Sequence, residues 1–361
     1  DNNMPEMCLD TNRFSNSPDG NLVEKGGQAQ GLRSDPRADL WTCTACAPGA
    51  LLPFTTANVT AASLGVDAAE HANTVNWGRG LDVDDEDADG VTVAETRPSA
   101  HGDVVHSRPV AVNFGDVDAD SKVVVFYGAN DGILRAINGN REPTVEKPLA
   151  DVAINGVAPG DELWAFMAPE FFPSIQRLRK NDPAWRYLLT PFPLESEPKS
   201  YGVDGPITAY LGDEGAWLYA TLRRGGRAAY AFDVADIASD DPSPPTLKWK
   251  IGCPNAADDV GCTAGFEGLG QTWSSAKVIK SAGYPADPDD ARAPMVIMGG
   301  GYDTCEDTDN GTVNHTCVAA SNGRHVYVVD ADTGVRLKTF NTERSVVADI
   351  FVVKYKCPDS D

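Results

Sequence analysis

From Asp103 onward the chain sets short apolar runs between breaks rich in Gly, Asp and Asn, and the runs recur in a fixed order. The first set is Val123–Gly128, the turn Ala129-Asn130-Asp131-Gly132, Ile133–Asn138, then Glu162–Phe166. The second is Trp217–Thr221, the turn Gly225-Gly226, Ala229–Val234, then Leu247–Ile251. The third is Met295–Gly301, an insertion, His325–Asp330, the turn Thr333-Gly334, then Arg336–Phe340. Runs of this length, rich in β-branched and aromatic residues and bounded by turn residues, predict strands. A further short run leads each set: Ser107–Val112, Gly205–Tyr210 and Trp273–Ile279. A repeating four-strand unit predicts an all-β chain built as a β-propeller. Trp164, Trp217, Trp249 and Trp273 fall at strand positions and are expected between blades.

Pro109, Pro206 and Ala276 hold comparable places in the leading runs, and their spacing exceeds the roughly 40–45 residues of an unadorned blade. The excess lies in insertions at Arg141–Gly160, Phe171–Ser200 and Cys305–Gly323, which belong on the faces, where partners bind. One of them predicts a short helix over Pro173–Arg179. A fourth leading run, Ser345–Val353, gives three complete blades and the start of a fourth. A propeller takes 4–8 blades, so this reading expects an open edge at that run and further protein to close the disc. Ahead of the propeller, residues 1–76 show no clean period and read as an irregular segment, briefly helical over Asp67–Asn76. Residues 77–102 read as an acidic linker, and 103–361 as the propeller domain.

Composition sharpens this picture in three ways. Gly 34 and Pro 25 suit a turn-dense β chain, and hydrophobic residues at 42% supply a core. A net charge of −23 repels phosphate backbones, which argues against nucleic acid; it suits divalent cations, and for the bulk charge the plainer reading is solubility in a salty or extracellular medium. No apolar run approaches the roughly 20 residues of a membrane-spanning helix. The eight cysteines predict disulfides of an exported, extracellular protein. Cys253–Cys262 and Cys305–Cys317 each bracket a polar loop and are expected as pairs. The pairing of Cys8, Cys43, Cys46 and Cys357 stays open. Cys43-Thr44-Ala45-Cys46 lacks the second half that a zinc site would need, and Ala47 stands where a haem attachment motif needs His.

Candidate chemistry concentrates in Asp85-Glu86-Asp87-Ala88-Asp89-Gly90-Val91, with Glu95 beyond. Calcium takes six to eight oxygens in a flexible cage. Asp85, Asp87 and Asp89 at alternate positions supply carboxylates, Gly90 permits the turn, Val91 offers its carbonyl, and Glu95 is a fourth side chain. Glu95 falls one place short of an EF-hand's closing Glu, and no helices flank the loop. The competing reading is a solvated acidic loop. A weaker candidate is Asp116, Asp118 and Asp120, which lacks the Gly; an acidic hairpin turn is its alternative. His101 and His106 are expected to hydrogen-bond within the first blade. No nucleophile–base pattern marks an active site.

Several segments together resemble one family. They are Trp77-Gly78-Arg79-Gly80 before the acidic loop, Gly102–Val110 with its His106-Ser107-Arg108-Pro109, and Phe126-Tyr127-Gly128-Ala129-Asn130-Asp131-Gly132. Tyr201–Gly205 and Gly268–Ser274 belong to the same set. Over roughly residues 77–353 the chain is similar to the C-terminal propeller of the PilC/PilY family of type IV pilus tip adhesins. The resemblance implies an exported, calcium-dependent, non-enzymatic protein that primes pilus assembly with minor pilins and meets a surface or host-cell ligand at the fibre tip. The family's Asp-rich calcium loop follows a strand like Ala348–Val353, so only Asp359 and Asp361 stand where it would open. The von Willebrand A-type domain often found in the family has no counterpart. The alternative is a quinoprotein dehydrogenase, using pyrroloquinoline quinone with calcium, which shares blades like Val326–Gly334. The adjacent Cys-Cys pair common in those enzymes is missing here.

Overall fold

The computed structural model describes residues 27–34, 37, 40–86, 88–115, 121–141, 148, 152–186, 196–256, 258–281, 283–285, 293–309, 312–313 and 321–353. The chain is mostly β, arranged in several sheets, none of which closes on itself. Three antiparallel meanders carry the expected repeat. The first runs β3 (Val110–Asn113), β4 (Val123–Gly128), β5 (Ile133–Asn138) and β6 (Glu162–Met167). The second joins β9 (Ile207–Gly212), β10 (Gly215–Thr221), β11 (Ala228–Asp233) and β12 (Thr246–Gly252). The third joins β13 (Lys277–Lys280), β14 (Pro294–Gly299), β17 (His325–Asp330) and β18 (Arg336–Asn341). Two-residue pairs lie in the insertions: β7 (Trp185–Arg186) with β8 (Glu197–Pro198), and β15 (Thr308–Asp309) with β16 (Thr312–Val313).

The sheets stack face to face in chain order, and strand alternation explains how. In β10, Ala216, Leu218 and Ala220 enter the core shared with the first sheet, while Trp217 and Tyr219 enter the core shared with the third. Successive residues of a strand point to opposite faces, so a strand covered on both sides is apolar throughout. Between the first two sheets Trp164 and Phe166 meet Phe232 edge-on, with ring centroids 5.4 and 4.9 Å apart. Between the second and third, the Tyr219 hydroxyl and Trp249 Nε1 both donate to the Ala331 carbonyl at 3.0 Å. Trp164, Trp217 and Trp249 are therefore inter-sheet core, as expected. Trp273 is not. It lies in the bend before β13, half-buried beneath the Arg223 guanidinium at 3.9 Å and beside Tyr302.

The N-terminal part is more regular than its pattern predicts. After α1 (Gly27–Ser34), β1 (Leu40–Thr42) pairs parallel to β6, and β2 (Leu52–Pro53) pairs with β1, which widens the first sheet to six strands. A strand of three residues is too short to display a period. Its place is fixed instead by burial of Leu40 and by Thr42, whose hydroxyl donates to the Met167 carbonyl at 2.7 Å. Then come α2 (Ala61–Leu64), capped by Thr60 and Ser63, and α3 (His71–Gly78). With α4 (Phe172–Lys180), the helix expected in the second insertion, they cover the outer face of the first sheet. Val59, Leu64, Val75, Phe172 and Ile175 pack there on Ile133 and Met167.

The run Ser345–Val353 forms no strand, contrary to expectation. Among the described residues no neighbouring strand offers it a ladder. It crosses the end of the third sheet instead: Val346 N–H donates to Gly323 O, and Gly301 N–H donates to Val346 O. Phe351 and Val353 are left 83% and 71% exposed. Asp349 accepts from Ser275 N at 2.7 Å and from Arg108 at 3.0 Å, and Arg108 also donates to Ser275 Oγ. Arg108 stands before β3 and Ser275 before β13, so the entrances of the first and third sheets meet at one side chain.

Candidate functional site

Two features adjoin on one side of the first sheet: the acidic loop and a cleft beside it. The loop leaves α3 at Trp77 and returns at Arg97. Its neck is pinned by a bridge between Leu81 and Thr96 and by Asp82 N–H donating to Glu95 O, with Arg97 N–H donating to Gly80 O. Inside, the fully buried Asp82 carboxylate accepts from Asp84 N and Glu86 N, at 3.3 Å and 2.9 Å. Asp82 therefore organises the turn, although the alternating spacing draws attention to its exposed neighbours.

Those neighbours are placed as follows. Asp85 Oδ1 accepts from Gly90 N at 3.1 Å, and Asp89 Oδ1 from Val91 N at 2.8 Å. Asp85, Ala88 and Gly90 all have positive φ, at 53°, 61° and 85°, which coils the segment tightly. Val91 is exposed, and Glu95 holds the neck through its carbonyl. The oxygens of Asp85, Asp89 and Glu95 do not gather within 4.8 Å of one another. Asp87, Asp116, Asp118, Asp120, Asp359 and Asp361 lie outside the described residues, as do Cys8, Cys317 and Cys357. The His/Cys/Asp/Glu group that does gather among the described residues is Cys253, Asp259 and Cys262, and its two sulfurs are bonded to each other.

Arg179 of α4 fastens the loop. It meets Asp84 with Nε and Nη2 at 2.7 and 2.8 Å and Glu70 with Nη1 at 2.6 Å, while Lys180 adds a bond to Asp84 at 3.0 Å. The Arg179 bond, with Lys180, holds the Asp84 carboxyl down at about 2. Burial pushes the Glu86 carboxyl up, and its Oε1 accepts from Trp77 Nε1.

The cleft has a volume of about 400 Å³ and is walled by Trp77, Arg97, His101, Asn130, Asp131 and Trp185. Asp131 ties this wall to a buried charge network. Arg135, fully buried in β5, is ion-paired with Asp131 and lies 3.7 Å from Glu162, which Arg37 meets at 2.6 Å. Burial works against the Asp131 anion, but the Arg135 guanidinium holds its carboxyl well below the usual range. His101 donates from Nδ1 to Gly102 O at 2.6 Å and accepts at Nε2 from the Tyr127 hydroxyl at 2.8 Å. Burial, aided by the Arg135 charge, lowers the imidazole to about 4. His101 thus bonds within the first unit, as expected, whereas His106 reaches Asp204 at the entrance of the second sheet.

Arg97 has a different standing. It is 4% exposed, stacked 3.7 Å over Trp77, and among the described residues the hydrogen bond of its guanidinium is a 3.5 Å contact from Nη1 to Ser99 O. Burial lowers it to about 10, against the opposing pull of Glu86. Arg97 carries no signal in the sequence and Asp131 stands there only as a turn and motif residue; the fold sets both in the wall of one cleft.

The segments that carry the family resemblance interlock at this corner. Asn130 N–H donates to Asp103 O, Gly102 N–H to Asp131 Oδ2, Gly128 N–H to Ser107 Oγ, and Gly202 N–H to Asn130 Oδ1. A Cβ on Gly202 would stand 2.4 Å from Ala129 O and 2.5 Å from Gly132 N, so the backbones touch where only glycine fits.

Disulfides join Cys43 to Cys46 and Cys253 to Cys262. Cys305 is also disulfide-bonded. No helix among the described residues is long and apolar enough to cross a membrane. No family model and no curated protein matches the chain. Among solved structures, the C-terminal domain of PilY1 from Pseudomonas aeruginosa is a distant, partial match, with 19% identity and a TM-score of 0.31. The match covers 62% of this chain and 31% of that one, so it spans less than a third of that structure.

Proposed function

We propose that the chain is a calcium-binding, non-enzymatic adhesion and assembly module of type IV pili, exported to the cell surface, and that its three meanders are consecutive blades of a β-propeller. The observation that carries the reading is the knot of interlocked segments: Gly102–Pro109, Tyr127–Gly132 and Tyr201–Gly205 bear the family resemblance, and each is hydrogen-bonded to another of them. Loosely similar sequences have no reason to meet in one hydrogen-bonded corner. The blade reading is supported by the Arg108–Ser275–Asp349 contact, because the leading strands of a propeller converge on a common axis. The partners in this reading are minor pilins and a surface or host-cell ligand.

Calcium is assigned to the acidic loop, with Asp85, Asp87, Asp89, the Val91 carbonyl and Glu95 as its donors. Carboxylate and carbonyl oxygens on a coiled loop are the donor set of a hard cation. Binding would exchange the Asp85 and Asp89 turn bonds for metal ligation. Calorimetric titration of the chain with calcium tests this: saturable binding is expected, and Asp89→Ala should abolish most of it. Unchanged affinity in Asp89→Ala would remove the loop from the site. Co-purification with minor pilins in calcium tests the assembly role. Quinone-dependent dye reduction by the chain would overturn the non-enzymatic reading in favour of a quinoprotein dehydrogenase.

A further inference from the structure

The cleft beside the acidic loop contains two donors with nothing to donate to. Arg97 Nε and Trp185 Nε1 are both buried without a hydrogen-bond partner. A buried N–H left unmade costs on the order of 1–3 kcal/mol, and more when the group is charged, so such groups mark a missing acceptor. Arg97 is also a buried cation with no carboxylate within 4.0 Å among the described residues. The nearby acids are spoken for. Asp131 is held by Arg135 and by Gly102 N–H; Glu86 takes the Trp77 indole; Asp84 takes Arg179; Asp103 takes Lys199. A missing acceptor on a guanidinium that no described carboxylate contacts directly, with Glu86 and Asp131 acting on it from farther off, suits an anion, and a planar carboxylate matches the guanidinium fork.

The rest of the cleft narrows the ligand. At about 400 Å³ it has room for a small molecule of one or two sugar rings. Its walls combine indole rings with the amide of Asn181 and the polar edge at Ser99, a mixture suited to a hydroxylated ring. We propose that this cleft binds a uronic acid residue of an acidic glycan, its carboxylate seated on Arg97 and the Trp185 N–H and its ring between the indole walls. This gives the adhesion part of the proposed function a ligand class and rests on that reading for its biological role alone. Uronate binding can fail while calcium and pilin binding hold, and the reverse.

The test is calorimetric titration of the full chain with sodium glucuronate, glucose and acetate. Glucuronate should bind about 10-fold or more tightly than either control, since the site needs both charge and ring. Arg97→Gln, which keeps a donor but no charge, should weaken glucuronate binding about 10- to 100-fold and leave any glucose binding as it was. Trp185→Phe keeps an aromatic ring, smaller than the indole, and deletes the N–H, and should weaken it by about 3- to 10-fold. It carries the test if Arg97→Gln does not fold. Absence of glucuronate binding, equal binding of glucose, acetate binding as tight as glucuronate, or glucuronate binding unmoved in a folded Arg97→Gln or Trp185→Phe would each overturn the proposal.

Discussion

His101 makes the stability of this fold depend on pH, and the size of the effect can be worked out. In the native state its ring is neutral: Nδ1 donates to the Gly102 carbonyl and Nε2 accepts from Tyr127. Protonation would place a second N–H against the tyrosine hydroxyl and a positive charge in a buried site near Arg135. The imidazole accordingly falls to about 4, whereas an unfolded histidine titrates near 6.5. Between those values the unfolded chain takes up a proton that the folded chain refuses. Stability is therefore intact above about pH 7 and declines as pH falls through 6.5 toward 4. Integrated from pH 7.5 to pH 5, this single group costs about 2 kcal/mol. Urea unfolding of the wild type and His101→Gln at the two pH values measures it. The glutamine variant loses some packing at both, but its loss between pH 7.5 and 5 should be smaller than the wild type's by about 2 kcal/mol. The difference between the two slopes isolates His101 from the other histidines. Equal pH dependence in the two proteins would refute the buried, neutral imidazole.

Three further outcomes are expected. Gly202→Ala forces a methyl group against the Ala129 and Gly132 backbones, and should destabilise the chain by about 1–3 kcal/mol in denaturant unfolding. Replacing Cys253 and Cys262 together with serine opens a loop of sequence separation 9, and should cost about 2–3 kcal/mol, read as a lower unfolding midpoint under non-reducing conditions. Asp84, held near 2 by Arg179 and Lys180, contributes stability that is present above the unfolded carboxylate value near 4 and is lost as pH falls toward 2. Asp84→Asn should therefore flatten the acid-unfolding curve in that window, as followed by circular dichroism.

The strand repeat was legible because each meander is apolar enough to mark its own boundaries. Val123–Gly128, Ala228–Asp233 and His325–Asp330 coincide with the runs that predict them to within a residue or two. Their turns were equally plain, since Asn130-Asp131-Gly132 and Thr333-Gly334 carry the residue types that tight turns require. The helix over Phe172–Lys180 also followed from the local sequence. Ser345–Val353 has the same composition as a strand and is not one, because a strand is completed by a neighbour's hydrogen-bonding edge and composition cannot supply it.

What the sequence determined by itself, then, is local: where apolar runs begin and end, which loops are acidic, and which cysteines lie close enough along the chain to pair. Tertiary structure decided everything that depends on residues distant in the chain. Asp82 outranks Asp85 and Asp89 within the loop because burial leaves its carboxylate facing two amides. Arg135 is tolerated inside a strand because Asp131 and Glu162 come to it from a turn and from another strand. Arg97 stands apart because folding buries it against Trp77 in the cleft wall with no described carboxylate within 4.0 Å. The physical reason is common to all three. A charge has little preference among sites in water, and acquires a strong one only where burial removes the water and leaves a few fixed partners to replace it.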